Sequence, residues 1–181
     1  MERLPPPDPA DLTPPQRSVA DTITKGPRGA VIGPLAVWLH KPEFAANAQA
    51  LGQYCRFETL LPRRLSELAI LVTAKVWSSE FEWQAHAPIA LEGGLSSEVI
   101  EAIRTDAEPP FSGEDERVVA AFARAAQEGR GHISDEVYED ARRVLGEPAL
   151  VDLVGILGYY CLISMTINVF GVPPQGPRQL T

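Results

Sequence analysis

With 181 residues, 45% of them hydrophobic and 22% charged, the chain has the size and make-up of one ordinary globular domain. A net charge of -8 argues against nucleic acid or an anionic membrane surface as partner, because phosphate binding needs clustered Lys and Arg. The two cysteines, Cys55 and Cys161, form no CxxC pair and no metal-ligand spacing, so neither a disulfide framework nor a cysteine metal site is expected.

Prolines crowd into residues 5–15 and again into 173–177, so both ends read as irregular arms. The division that follows is an arm with a first helix over 1–29, a helical domain over 30–173 and a tail over 174–181. The N-terminal stretch is charged and proline-rich and lacks the apolar core of a secretory signal, which predicts a cytoplasmic protein. Thr13-Pro14-Pro15-Gln16 combines an N-cap, a first-turn proline and a capping-box Gln, and the helix it opens should end by Lys25-Gly26-Pro27. Residues 28–42 read as a loop with at most a short turn. Pro42 opens a second helix to about Cys55, and Pro62 precedes a third over 63–76.

That third helix is apolar on nearly every face from Leu68 to Trp77, which makes an acid at its start, Glu67, an unusual presence. After a break at Trp77-Ser78-Ser79 the helical pattern resumes and runs to Gly93-Gly94, with a kink expected at Pro88. Within it Glu82 and His86 lie four residues apart, hence on one helix face, where they could share or pass a proton. Further helices are predicted from the Leu95-Ser96-Ser97-Glu98 stretch, from Ser112 with an acidic first turn, from Ser134, and from Pro148. The last, apolar from Ala149 to Phe170, has the length of a membrane span, but Asp152 inside it and the lack of flanking Lys or Arg favour a core or interface helix. No strand pattern with hairpin turn chemistry appears. The fold class is all-α, with about seven or eight helices assembling through helix packing.

Glu67, Ser79, Glu82 and His86 spell E-x11-S-x2-E-x3-H. This resembles the E-x11-C-x2-C-x3-H motif of alkylhydroperoxidase D-like (AhpD-like) proteins with both cysteines replaced. The surrounding RRLSELAILVTAKVWSSEFEWQAHAPIALEGGLSSEVIEAI resembles the wider carboxymuconolactone decarboxylase family, in particular its cysteine-free members with an E-[FY]-E-W-x2-H core. LVGILGYYCLISMTINVFGVP is similar to the C-terminal helix of those members. The resemblance covers about residues 30–173. It implies an AhpD-like helical fold, a pocket near a subunit interface where the Glu and His meet, and a homo-oligomer, commonly a trimer or hexamer. It also implies one of two chemistries, thiol peroxidation or decarboxylation and isomerisation of small lactone acids.

Thiol chemistry needs an attacking thiolate and a resolving thiol. Ser79 and Glu82 supply neither, and Cys55 and Cys161 lie outside the motif, so peroxidase turnover is not expected. Proton transfer needs only an acid/base group near the working pH and a partner that holds it. The catalytic candidates are therefore Glu67, Glu82 and His86: His86 as acid/base, Glu67 as its orienter or a second acid, Glu82 as a polar wall. Arg63 or Arg64 could instead neutralise Glu67. Trp83 and Ser79 are the substrate-binding candidates, although Trp83, Trp77 and Phe81 also suit a core. Glu80 is expected in solvent, and His40 and His132 have no spaced partners. No cofactor is called for, and one His with a Glu at i+4 is too thin a set to predict a metal. The expectation is a lyase-type enzyme acting on a small molecule. The competing readings are an antioxidant protein of the AhpD type and a non-catalytic ligand-binding oligomer. A cavity reached by both Glu67 and His86 would favour the enzyme.

Overall fold

A computed structural model describes residues 1–180. A 3-10 turn at Pro9–Asp11 precedes nine α-helices: α1 Pro14–Lys25, α2 Pro34–Trp38, α3 Pro42–Phe57, α4 Arg63–Val76, α5 Glu80–Glu92, α6 Ser97–Thr105, α7 Glu114–Glu128, α8 Asp135–Leu145 and α9 Glu147–Phe170. No strand occurs among the described residues. The helix beyond the expected eight is α2, which at five residues is too short to show an apolar period. It exists because Gly33 takes a positive φ of 56° and hands Pro34 to the first helical position.

Helix α4 is the axis of the molecule and packs against α5, α7 and α9. Every residue from Leu65 to Lys75 is buried, as its apolar run predicts. Its polar side chains are satisfied locally or across the core. The Thr73 hydroxyl donates to Ala69 O at 2.9 Å, and Lys75 Nζ reaches Arg104 O and Asp106 Oδ2, both at 2.9 Å. Around this axis the caps fall near their expected places. Gln16 Oε1 accepts the Thr13 N–H at 2.9 Å, and the Ser96 and Ser134 hydroxyls cap α6 and α8. The start of α7 differs: Gly113, not Ser112, is the N-cap, and the Ser112 N–H donates to Glu116 Oε2 at 2.8 Å. Asp115 and Glu116 of that acidic turn hold Arg64 of α4, so they join two helices as well as meeting the α7 dipole.

Helix α9 meets the length and hydropathy of a membrane span, but 61% of its most apolar window is buried within the fold. Asp152 explains how a charge sits in it. Its carboxylate accepts the Tyr54 hydroxyl at 2.6 Å and the Leu60 N–H at 2.8 Å, which pins the end of α3 to α9. Helix α5 runs on through Pro88 to Gly93.

The terminal arms are tied down. The Arg3 N–H donates to Phe170 O at 2.7 Å, and Glu80 accepts the backbone N–H groups of Gln179 and Leu180 at 2.6 and 3.0 Å. The expectation of a solvated Glu80 is thus corrected. It is 9% exposed, because the tail folds back over α5 and uses this carboxylate as its anchor.

Candidate functional site

The site depends on how α4 turns into α5. Trp77 closes α4, Ser78 adopts a left-handed conformation with φ 48°, and the Ser79 N–H donates to Ala74 O at 2.8 Å while that of Ser78 donates to Lys75 O at 3.0 Å. This is a Schellman closure with serine in the place usually taken by glycine. It reverses the chain so that α5 lies back along α4. Glu67, about 14 Å down α4 from its end, and His86, about 9 Å into α5, then meet at 1.5 Å per residue.

Glu67 meets His86 in hydrogen-bond contact, and Glu82 meets it as an ion pair. Glu67 Oε2 lies 2.6 Å from His86 Nδ1, and Glu82 Oε1 lies 2.9 Å from His86 Nε2. All three side chains are less than a tenth exposed. The Tyr160 ring of α9 stands edge-on to the imidazole, with centroids 5.1 Å apart and planes at 86°, which fixes the ring from a third side. Burial alone would push the His86 pKa down, but the two carboxylates more than offset it and carry it up to about 9. His86 is therefore an imidazolium at neutral pH, its Nδ1–H donating to Glu67 and its Nε2 side ion-paired with Glu82. The expectation of a histidine poised near neutrality is corrected accordingly. Arg63 and Arg64 do not neutralise Glu67, being paired with Glu92 and with Asp115 and Glu116.

A cavity of about 70 Å³ opens beside this triad. Glu82 and His86 line it, together with Phe81, Tyr159 and Tyr160. Glu67 does not. It stands behind His86 and borders a separate hollow of about 330 Å³ on its own side. The cavity is thus reached by two of the three motif residues, and by Glu67 only through the imidazole. Of the substrate-binding candidates, Trp83 is 1% exposed within the core, and Ser79 is fully buried at the turn with its hydroxyl unpartnered among the described residues. Neither lines the cavity, because the turn that aligns Glu67 with His86 seals both beneath it. Phe81 lines it instead, seated against Gly33, where a Cβ would fall 2.4 Å from the ring.

The cavity also holds residues that the motif does not announce: Arg28 from the loop between α1 and α2, Arg56 from the last turn of α3, and the two tyrosines of α9. Isolated arginines at a loop and a helix end carry no periodic or spacing signal. The cysteines lie elsewhere. Burial pushes the Cys55 thiol up to about 11 and also raises that of Cys161, so neither is a thiolate near neutrality. Among the described residues no cluster of three or more His, Cys, Asp or Glu is arranged to hold a metal ion.

The model of the carboxymuconolactone decarboxylase family matches residues 42–126, which span α3 to most of α7 and include the whole triad. That match supports assigning the chain to a carboxymuconolactone decarboxylase/AhpD-like family. Solved structures extend the likeness to nearly the full length. An AhpD-core, peroxidase-related protein from Ralstonia eutropha JMP134 superposes with a TM-score of 0.79 at 15% identity, covering 96% of this chain and 92% of that one. The debrominase Bmp8 gives 0.78 at 16% identity with the same coverage, and a cysteine-to-alanine variant of Bmp8 has been solved with 2,3,4-tribromopyrrole. A peroxidase-related protein from Silicibacter sp. TM1040 gives 0.76 at 16% identity, covering 96% and 90%. At such identities these structures establish a shared AhpD-like fold and no shared reaction. No curated protein matches the sequence significantly. At the two thiol positions of the AhpD motif this chain has Ser79 and Glu82.

Proposed function

We propose that the protein is a carboxymuconolactone decarboxylase-like enzyme of the cytoplasm that moves a proton on a small carboxylated lactone or carbonyl compound, by decarboxylation or isomerisation. The observation that carries this reading is the Glu82–His86 pair, in ion-pair contact at 2.9 Å, nearly buried, and facing a cavity. General acid/base work needs a group within reach of the substrate and a partner that holds its proton.

In an isomerisation the Glu82 carboxylate removes a proton from the carbon next to a carbonyl. The C–H electron pair moves into an enolate, and the proton returns at another carbon. In a decarboxylation the C–C bond to the leaving carboxylate breaks and carbon dioxide departs. The electron pair stays on the substrate as an enolate, and a proton from the Glu82–His86 pair quenches it, to be replaced from water. His86 is the charged proton reserve behind Glu82, and Glu67 is a positioning residue that fixes the imidazole through Nδ1.

The antioxidant reading requires thiolates that this site lacks, since the thiol positions hold Ser79 and Glu82 and both cysteines have raised pKa values. The test is solvent-deuterium incorporation and carbon dioxide release across a panel of small lactone acids and keto acids, followed by NMR. Glu82→Gln should lower turnover by about 10²–10⁴-fold, the usual worth of a general acid/base. Turnover unchanged in that variant would exclude the mechanism. His86→Ala is the poorer probe, because it leaves two buried carboxylates without their counter-charge and endangers the fold.

A further inference from the structure

Two arginines, Arg28 and Arg56, also line the cavity that Glu82 and His86 face, and among the described residues neither has an ion-pair partner. Among the described residues Arg28 makes one hydrogen bond, donating to the Tyr159 hydroxyl at 3.3 Å, and its Nε is buried with no partner. Among the described residues Arg56 has no carboxylate within ion-pair distance, and it lies over the ring of its neighbour Phe57, 5.2 Å from the centroid. In a chain with 24 acidic and 16 basic residues, that is unusual. Arg63, Arg64 and Arg104 each hold a carboxylate.

The arrangement is built into the fold. A Cβ at Gly52 of α3 would lie 2.0 Å from the Tyr159 hydroxyl and 2.4 Å from Arg28 Nη2, so the lack of a side chain there is what lets guanidinium and phenol meet. The loop carrying Arg28 is closed by Gly33, against which Phe81 of the cavity wall packs. One helix end and one loop thus deliver two positive charges to the chamber that holds the Glu82–His86 pair.

We propose that Arg28 and Arg56 form a carboxylate-binding end of this cavity, so that the substrate is a small organic anion anchored there while its reacting carbon faces Glu82. The proposal rests on the proton-transfer reading for the role of Glu82, but makes its own claim about binding. A guanidinium offers paired N–H donors that match a carboxylate. A carboxylate held in this way is stabilised before reaction, so it is the group that stays on the substrate rather than one that leaves as carbon dioxide. The substrate class is therefore a dicarboxylate that loses its other carboxylate, or a keto or lactone acid that isomerises while its single carboxylate is held.

The test is calorimetric titration of the full chain with 4-oxopentanoate and glutarate, and with the neutral 4-oxopentanamide as control. Both anions should bind at least about tenfold more tightly than the amide. Arg28→Gln and Arg56→Gln should each weaken the anions by about tenfold and leave the amide unchanged, with Arg28→Lys recovering part of the loss. Unfolding midpoints, read alongside, identify any variant that has lost its fold, and Gly52→Ala, which displaces Arg28 without touching its charge, should weaken the anions too. Glu82→Gln, which stops proton transfer, should keep or tighten anion binding, since it removes a negative charge from the chamber. Equal binding of anion and amide, no binding of either anion, or wild-type affinity in a folded Arg28→Gln/Arg56→Gln double variant would overturn the proposal. Anion binding that survives without any turnover on the lactone and keto acid panel would retain the proposal and count against the proton-transfer reading alone.

Discussion

His86 carries a charge that burial alone would remove; two carboxylates, one on each ring nitrogen, keep it there. Its folded pKa of about 9 lies above the ordinary 6.5, so the triad stabilises the fold fully below pH 6.5 and loses that contribution as pH rises through about 9. The urea midpoint should fall across that window in the wild type and fall less in Glu82→Gln, where one of the raising carboxylates is neutral; a flat wild-type midpoint would count against the triad. Burial holds Tyr160 well above 10 and Cys55 near 11, so these groups add their own loss of stability only as pH rises above about 9, where the unfolded thiol ionises. At this scale the sequence was partly legible. Glu67, Glu82 and His86 could be named from spacing, because a helix period converts sequence separation into direction. The burial of Glu80 could not, since its partners are backbone groups about a hundred residues away, and neither could Arg28 and Arg56, which are joined to the site only by tertiary folding.

Helix ends were readable wherever a side chain makes the cap, as at Thr13, Ser96 and Ser134, and less so where backbone conformation makes it. The α7 start moved by one residue because its first-turn Glu116 N–H donates to Asp115 Oδ1 rather than to a serine cap, while the Ser112 N–H donates to Glu116 Oε2, and α2 arose from a positive-φ glycine that no apolar period marks. The turn between α4 and α5 has the same character. Its break was evident from Trp77-Ser78-Ser79, but the Schellman geometry that buries Ser79 was not, and so Ser79 was expected in the pocket. The functional consequence is that the motif's first thiol position is a structural hinge in this chain. Only its second, Glu82, faces the cavity.

Across the whole molecule, the all-α architecture followed from helical periods and caps, and the role of α9 from its unbroken apolar run. That helix buries one side in the core yet leaves Val151, Val154, Met165 and Val169 between 46% and 72% exposed. With Gly158 and Leu162 they follow one another at three- and four-residue steps, so they form a single apolar stripe along the outer face. A second copy of the chain is the expected cover, giving a homo-oligomer of at least two subunits by light scattering at micromolar concentration. Val154→Glu with Met165→Glu should shift the mass toward the monomer, whereas a monomeric wild type would contradict the expectation.

All the chemistry assigned to the cavity depends on the protonation state of one ring. The direct measurement is an NMR titration of the His86 ring nitrogens. A doubly protonated imidazolium persisting through pH 7.5 and titrating near 9 is the result the triad predicts. A neutral ring at pH 7 would contradict it, and with it the picture of a charged proton reserve behind Glu82.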